Sequence, residues 1–362
     1  MRITFILPPV DMSGGIRVIS IYARLLAERG HRVTLVSQPP APIPLRRKLK
    51  RLLMTGCWIP SDKKQQPSHL DGLGLDHRVI EAHRPIVDHD VPDADVVIAT
   101  WWETAEWVNT LSPAKGAKVH FVQGHEVFDY LPLARCQAAY RMPLHKIVIS
   151  RWLADVMRNE YGDANVDLVP NAIDHQQFFA PVRGKQDRPT VGFLYHSAPF
   201  KGADTVLQVI ERLRSMFGDV RIISFGSHPP SPGLGLDPDL EFHLSPPQDR
   251  IRDLYAQCDV WLTASRSEGF SLPAMEAMAC RTPVVSTRVG WPEEAIVTGQ
   301  NGVLVDVDDV AGLTEGAAWV IGLTDAEWRR VSENAFQTVA TSSWDASAKM
   351  FEAALVGAVA RA

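Results

Sequence analysis

Several things this sequence lacks narrow what it encodes. No cysteine pair has Cys-x-x-Cys spacing. Cys57, Cys136, Cys258 and Cys280 are scattered, which offers neither a metal knot nor a disulfide framework and fits a reducing compartment. No apolar run is long enough to cross a bilayer, and no leader-like segment follows Met1, so the expectation is a cytoplasmic protein. There is no excess of basic charge. The formal net charge of −5 argues against a general nucleic-acid binder. No Gly-x-Gly-x-x-Gly fingerprint follows the first strand, so a dinucleotide is not the first expectation. No internal repeat of fixed period is present. What remains is a chain of 362 residues with ordinary apolar and charged content, too long for one average core and suited to two domains.

The most informative stretch is residues 267–279, Ser-Glu-Gly-Phe-Ser-Leu-Pro-Ala-Met-Glu-Ala-Met-Ala. Residues 259–263 read as a covered parallel strand running into it. Ser271 is placed to cap the following helix, with Pro273 in its first turn. From Leu272 to Cys280 every residue is apolar or small except Glu276. A helix that is apolar all round is buried, so Glu276 is a buried carboxylate that needs donors. One reading supplies Arg281 as a cation. The other supplies a ligand with paired hydroxyls. Glu268 sits eight residues earlier, before a helix N-terminus suited to phosphate. A phosphate seat with a carboxylate on either side suggests a sugar nucleotide.

In the first half, residues 3–7 read as a buried strand, residues 11–15 as a loop, and Ile16, Ile19, Tyr22, Ala23 and Leu26 as a helix face. With the strand at 31–36 this is a βαβ unit. Gly14 and Gly15 let a ligand approach the backbone, though a plain tight turn explains them as well. Residues 45–54 form a basic amphipathic segment with Arg46, Arg47, Lys48, Lys50 and Arg51. It reads as a solvated helix face or as a peripheral contact with the inner face of a membrane. The strand at 95–100 delivers Trp101, Trp102 and Glu103 to the ligand edge, where the indoles stack on an acceptor sugar or simply pack. The strand at 118–122 ends at His125, which holds a proton or is structural. In the second half, the strand at 190–195 leads to a loop with Lys201 beside Gly202, a phosphate contact or a solvated lysine. Strands at 220–225, 240–244, 282–286 and 303–305 alternate with helices, and the C-terminal tail is helical. The expected fold is α/β with two consecutive doubly wound domains.

Taken together, these residues resemble a GT-B glycosyltransferase of the large retaining family 4. Glu268 and Glu276 resemble its Glu-x7-Glu motif. The Pro-Asn-Ala-Ile-Asp run at 170–174 resembles its interdomain linker, with Ala172 in place of glycine. The resemblance implies two Rossmann-like domains facing across a cleft: residues 1–174 for the acceptor, 175–342 for the donor, and a helix at 343–362 that packs back on the first domain. It implies a nucleoside-diphosphate sugar as donor substrate and a glycan, lipid-linked or small-molecule acceptor in polysaccharide or glycoconjugate synthesis. It implies no cofactor, because no Asp-x-Asp stands where a metal would be needed. Glu276 is expected at the ribose, Glu268 at the donor sugar and Lys201 at the diphosphate. Gly269, Phe270, Ser271 and Leu272 form the phosphate seat, Leu244 and Ser245 the base pocket, and His125, paired with Glu126, the reaction centre. Gly14 and Gly15 match the first domain's glycine loop.

Two departures stand out. His196 occupies the position of a diphosphate-binding arginine, with Arg188 as a possible substitute. Gly290-Trp291-Pro292 replaces a double glycine. The readings kept beside this one are a GT-B-shaped epimerase or phosphorylase and a non-catalytic nucleotide-sugar binder.

Overall fold

The computed structural model describes residues 1–42, 46, 67–231 and 239–362. The basic segment at 45–54 therefore lies outside the described residues, apart from Arg46, which is exposed. The chain forms two compact units. One comprises Met1–Val148, Met157–Asp167 and Ala348–Ala362, the other Ile149–Val156 and Leu168–Ser347.

The first unit is built on β1 (Arg2–Leu7), α1 (Gly14–Glu28), β2 (Arg32–Ser37), β3 (Asp76–Val79), β4 (Val96–Ala99), α2 (Trp102–Thr110), β5 (Ala117–Val122), α3 (Leu133–Arg141), β6 (His145–Val148), α4 (Arg151–Tyr161) and β7 (Val166–Leu168). The strand order is β3-β2-β1-β4-β5-β6-β7. The central strands are buried along nearly their whole length, as expected where helices cover both faces of a sheet. The edge strand β3, Asp-His-Arg-Val, has no apolar run, because only one neighbour and little core touch it.

The second unit continues with β8 (Thr190–Leu194), α5 (Ala203–Phe217), β9 (Arg221–Gly226), β10 (Leu240–Leu244), α6 (Ile251–Ala256), β11 (Val260–Thr263), α7 (Leu272–Ala279), β12 (Val284–Thr287), α8 (Trp291–Ala295), β13 (Gly302–Val305), α9 (Val310–Gly322) and α10 (Asp325–Val339). Its order is β10-β9-β8-β11-β12-β13, with every neighbouring pair parallel. The last helix, α11 (Trp344–Arg361), joins the first unit from Ala348 onward. There Phe351 is fully buried, with its ring centroid 4.6 Å from Tyr22 and 5.0 Å from Phe121.

Both sheets reverse direction at one point. The chain runs outward from β1 to β3 and returns to β4 on the other side of β1. It does the same from β8 to β10, returning to β11. Loops at the carboxyl ends of strands flanking such a reversal are where open α/β sheets bind ligands. In the second unit these are the loops after β8 and β11, in the first the loops after β1 and β4.

Candidate functional site

The loop after β8 carries His196 and Lys201. It ends on Gly202, which has φ 68°. A Cβ at Gly202 would lie 1.9 Å from the Ala264 carbonyl oxygen, so only glycine lets this turn pack against the end of β11. That packing brings Lys201 to the loop after β11. Its Nζ donates to both carboxylate oxygens of Glu268 at 2.8 Å, and Ser265 Oγ donates to Glu268 Oε1 at 2.7 Å. Two side chains read separately in the sequence thus form one ion pair. His196 is exposed, and its Nδ1 accepts the Ala198 N–H at 3.0 Å. Partial desolvation, and then the charge of Lys201, hold its pKa below the ordinary histidine value, so it does not carry an arginine's charge at neutral pH. Nor does Arg188 replace one. It precedes the amino end of β8 and pairs with Asp219.

The start of α7 corrects one expectation. Ser271 is the N-cap residue, but it adopts φ 75° and its side chain makes no capping bond. Its hydroxyl is buried, at 5% exposure, and lacks a hydrogen-bond partner. A buried polar group left unpaired costs about 1–3 kcal/mol. The loop is braced from α8. Phe270 stacks on Trp291 with centroids 5.9 Å apart, and the Trp291 N–H donates to the Phe270 carbonyl at 2.9 Å. Gly290, at φ 57°, fits against Glu268 and Phe270, where a Cβ would come within 3.0 Å of both carbonyl oxygens. Gly269 and Leu272 are half-buried beside them.

Glu276 is 4% exposed and its Oε2 accepts the hydroxyl of Tyr255 at 2.8 Å. Arg281, the cation offered by the sequence, turns instead to Glu333 and the Ala180 carbonyl and lies over the Phe336 ring. Tyr255 was not singled out from the sequence. It sits in an apolar helix face, packed against Trp261 at 4.5 Å, and reads there as core. Leu244 ends β10 with 55% exposure. Ser245 follows at φ 45° and its hydroxyl donates to the Ser227 carbonyl at 3.3 Å.

In the first unit Gly14 and Gly15 open α1. No neighbouring atom comes within 4 Å of a Cβ at Gly14, and only the Gln123 side chain approaches one at Gly15, at 3.8 Å. His125 Nε2 lies 2.6 Å from the Tyr161 hydroxyl, and burial lowers its pKa. Glu126 is buried. Its Oε2 accepts the Trp102 N–H at 3.0 Å, and burial pushes its carboxyl well above the ordinary range. Trp102 is a correction. At 3% exposure it belongs to the core, and its ring is covered by the Arg135 guanidinium at 4.8 Å, so it has no face for a sugar. Trp101 and Glu103 are half-buried at the same helix start, and burial raises the Glu103 pKa. Among the described residues no cluster of His, Cys, Asp or Glu is placed to hold a metal, and no helix is long and apolar enough to cross a membrane.

Residues 12–177 match the family model described as Glycosyltransferase Family 4, and residues 188–322 match the one described as Glycosyl transferases group 1. The GDP-mannose-dependent alpha-(1-6)-phosphatidylinositol monomannoside mannosyltransferase of Mycolicibacterium smegmatis is 28% identical over 64% of this chain and 67% of its own length. The D-inositol 3-phosphate glycosyltransferase of Xylanimonas cellulosilytica is 26% identical over 83% of this chain and 82% of its own. Other curated relatives match over shorter stretches, down to 27% of their own length. Among solved structures, Anabaena HepE in complex with UDP-glucose superimposes with a TM-score of 0.75 at 15% identity, covering 99% of this chain and 100% of that one.

Proposed function

From the premise that this chain belongs to the group 1 glycosyltransferases of GT-B fold, we propose that it moves a sugar from a nucleoside-diphosphate sugar to a hydroxyl of a glycan, lipid-linked or small-molecule acceptor, with retention of anomeric configuration. The observation that carries this reading is the convergence at the β8/β11 reversal. There an ammonium, a carboxylate and an unpartnered buried hydroxyl at a helix start meet within one pair of loops.

Cleavage of the bond from sugar C1 to the diphosphate leaves negative charge on the departing oxygen. The start of α7, Ser271 and Lys201 stabilise that charge as it develops. Lys201 and Glu268 hold each other until the donor arrives. Then the ammonium turns to the phosphates and Glu268 takes sugar hydroxyls. Glu276, with one oxygen already held by Tyr255, receives the two ribose hydroxyls. The acceptor oxygen bonds to C1 as the diphosphate leaves, and the acceptor's proton ends on the departing phosphate. His125, kept neutral by burial, contacts the donor sugar and adds no charge. The protein's own cationic and N–H groups neutralise the diphosphate, so the proposed reaction needs no metal ion.

The test is incubation with sugar nucleotides and a set of glycan, cyclitol and lipid-linked acceptors in EDTA. The expected result is acceptor-dependent release of nucleoside diphosphate and a product whose anomeric carbon keeps the donor's configuration by NMR. An inverted product, or release only when a divalent ion is added, contradicts the proposal.

A further inference from the structure

We infer that Arg266 is a positioning residue whose guanidinium and backbone amide fix Lys201 against Glu268 and so set the geometry of the donor seat. The inference rests on the reading of Lys201 and Glu268 given above. Arg266 lies two residues before Glu268, in the loop after β11. Its backbone N–H donates to the Phe200 carbonyl at 2.7 Å, and one terminal nitrogen donates to the Pro199 carbonyl at 2.6 Å. Those two carbonyls belong to the turn that presents Lys201.

The same guanidinium forms a fork with Asp204 at the start of α5, at 3.1 and 2.9 Å. It also reaches Thr205 Oγ1 at 3.2 Å and, through Nε, Asp308 at 2.6 Å. Arginine has five N–H donors, and five protein contacts engage them here. Its donors are therefore committed to the protein and not offered to a ligand.

The arrangement is a clamp. Lysine is a compact charge on a flexible stem, so its aim depends on where the turn holds its backbone. Gly202 permits that turn to pack, and Arg266 ties it to the strand end that carries Glu268. The planar fork explains why arginine stands here, since a lysine cannot meet Asp204 through two nitrogens. The pairing also holds the Asp204 carboxyl below the usual carboxylate range.

Two measurements separate this inference from the donor reading. The first needs no ligand. Lysine labelled with 13C at Cε gives an NMR signal for Lys201, identified by its loss in Lys201→Arg. In Arg266→Ala, and independently in Asp204→Asn, that signal is expected to move to the position of exposed lysines. An unchanged signal in both variants overturns the inference. The second is calorimetric titration with UDP, GDP, ADP and dTDP. For the diphosphate that binds, Arg266→Ala is expected to weaken affinity at least about tenfold, and Arg266→Lys not to restore it. In a Lys201→Ala background the same change is expected to do almost nothing, because Arg266 acts through Lys201. Equal losses in both backgrounds mean a general structural role and overturn the inference. If Lys201→Ala binds the diphosphate as well as wild type does, the donor reading fails by itself, since the NMR arm reports positioning without nucleotide.

Discussion

Glu268 and Glu276 sit eight residues apart on one connected piece of backbone but in different surroundings. One is paired with Lys201 at the loop, the other is buried beside Tyr255. Their substitutions should therefore separate. Glu276→Ala is expected to weaken nucleotide binding about 10- to 100-fold, the scale of losing hydrogen bonds to a charged group, with a smaller change in kcat. Glu268→Ala is expected chiefly to lower kcat. Steady-state kinetics beside calorimetry checks the split, and the reverse pattern means the two roles are exchanged. The burial of Glu276 was legible in the sequence because one charge on an otherwise apolar helix has few explanations, whereas the pairing of Glu268 with Lys201 was not. Other fine detail was hidden too. A serine before a helix reads as a cap, and nothing local announces φ 75° at Ser271. Nor is the role of Tyr255 or the burial of Trp102 visible in the sequence, since an aromatic at an element's edge gives no sign of whether its polar atom or its face is free. His120 adds a pH prediction. It is fully buried, stacked on Tyr140, and burial lowers its pKa to about 3. Between about pH 6.5 and 3 the unfolded chain takes up a proton that the native site refuses, so this group lowers stability by about 1.4 kcal/mol per pH unit as the pH falls below 6.5. Urea midpoints at pH 7, 6 and 5 should fall less steeply in His120→Phe than in wild type. Parallel curves contradict the prediction.

Turns and helices show what the elements do for the site. Gly202 and Gly290 both combine positive φ with a backbone carbonyl where a side chain would go. Gly202→Ala should destabilise by about 1–3 kcal/mol from overpacking alone and lower diphosphate affinity by displacing Lys201. Gly290→Ala, against gentler contacts, should shift stability less while still disturbing the Glu268 loop. Thermal melts and diphosphate titrations of the two variants check this ordering. Helix α11 gives a second test. Phe351 packs among Phe5, Tyr22 and Phe121, so Phe351→Ala should cost about 3–5 kcal/mol, read as a lowered urea midpoint. The alternation of apolar strands and amphipathic helices was plain in the sequence, because strands covered on both faces must be continuously apolar. The polar edge strand β3 and the helices α2 and α3 were not anticipated. An edge strand meets little core, α3 buries only Cys136, Ala139 and Tyr140, and α2 is a short helix whose buried face includes the polar Thr104 beside Trp102, Ala105, Trp107 and Val108.

For the whole molecule, two similar sheets with matching reversal points place every loop of interest at strand carboxyl ends, which is how the fold collects residues as distant in sequence as Lys201 and Glu268. Binding of a donor depends on that collection of residues and reports on it. Thermal midpoints of wild type and Glu276→Ala would be measured against UDP-, GDP-, ADP- and dTDP-sugars. A ligand present at 100 times its Kd stabilises the native state by about 2.7 kcal/mol, several degrees in the melt. Sugar nucleotides of one base are expected to raise the wild-type midpoint, and to raise that of Glu276→Ala by no more than about half as much at the same concentration. Stabilisation of both proteins to the same extent, or of wild type by none of them, contradicts the account.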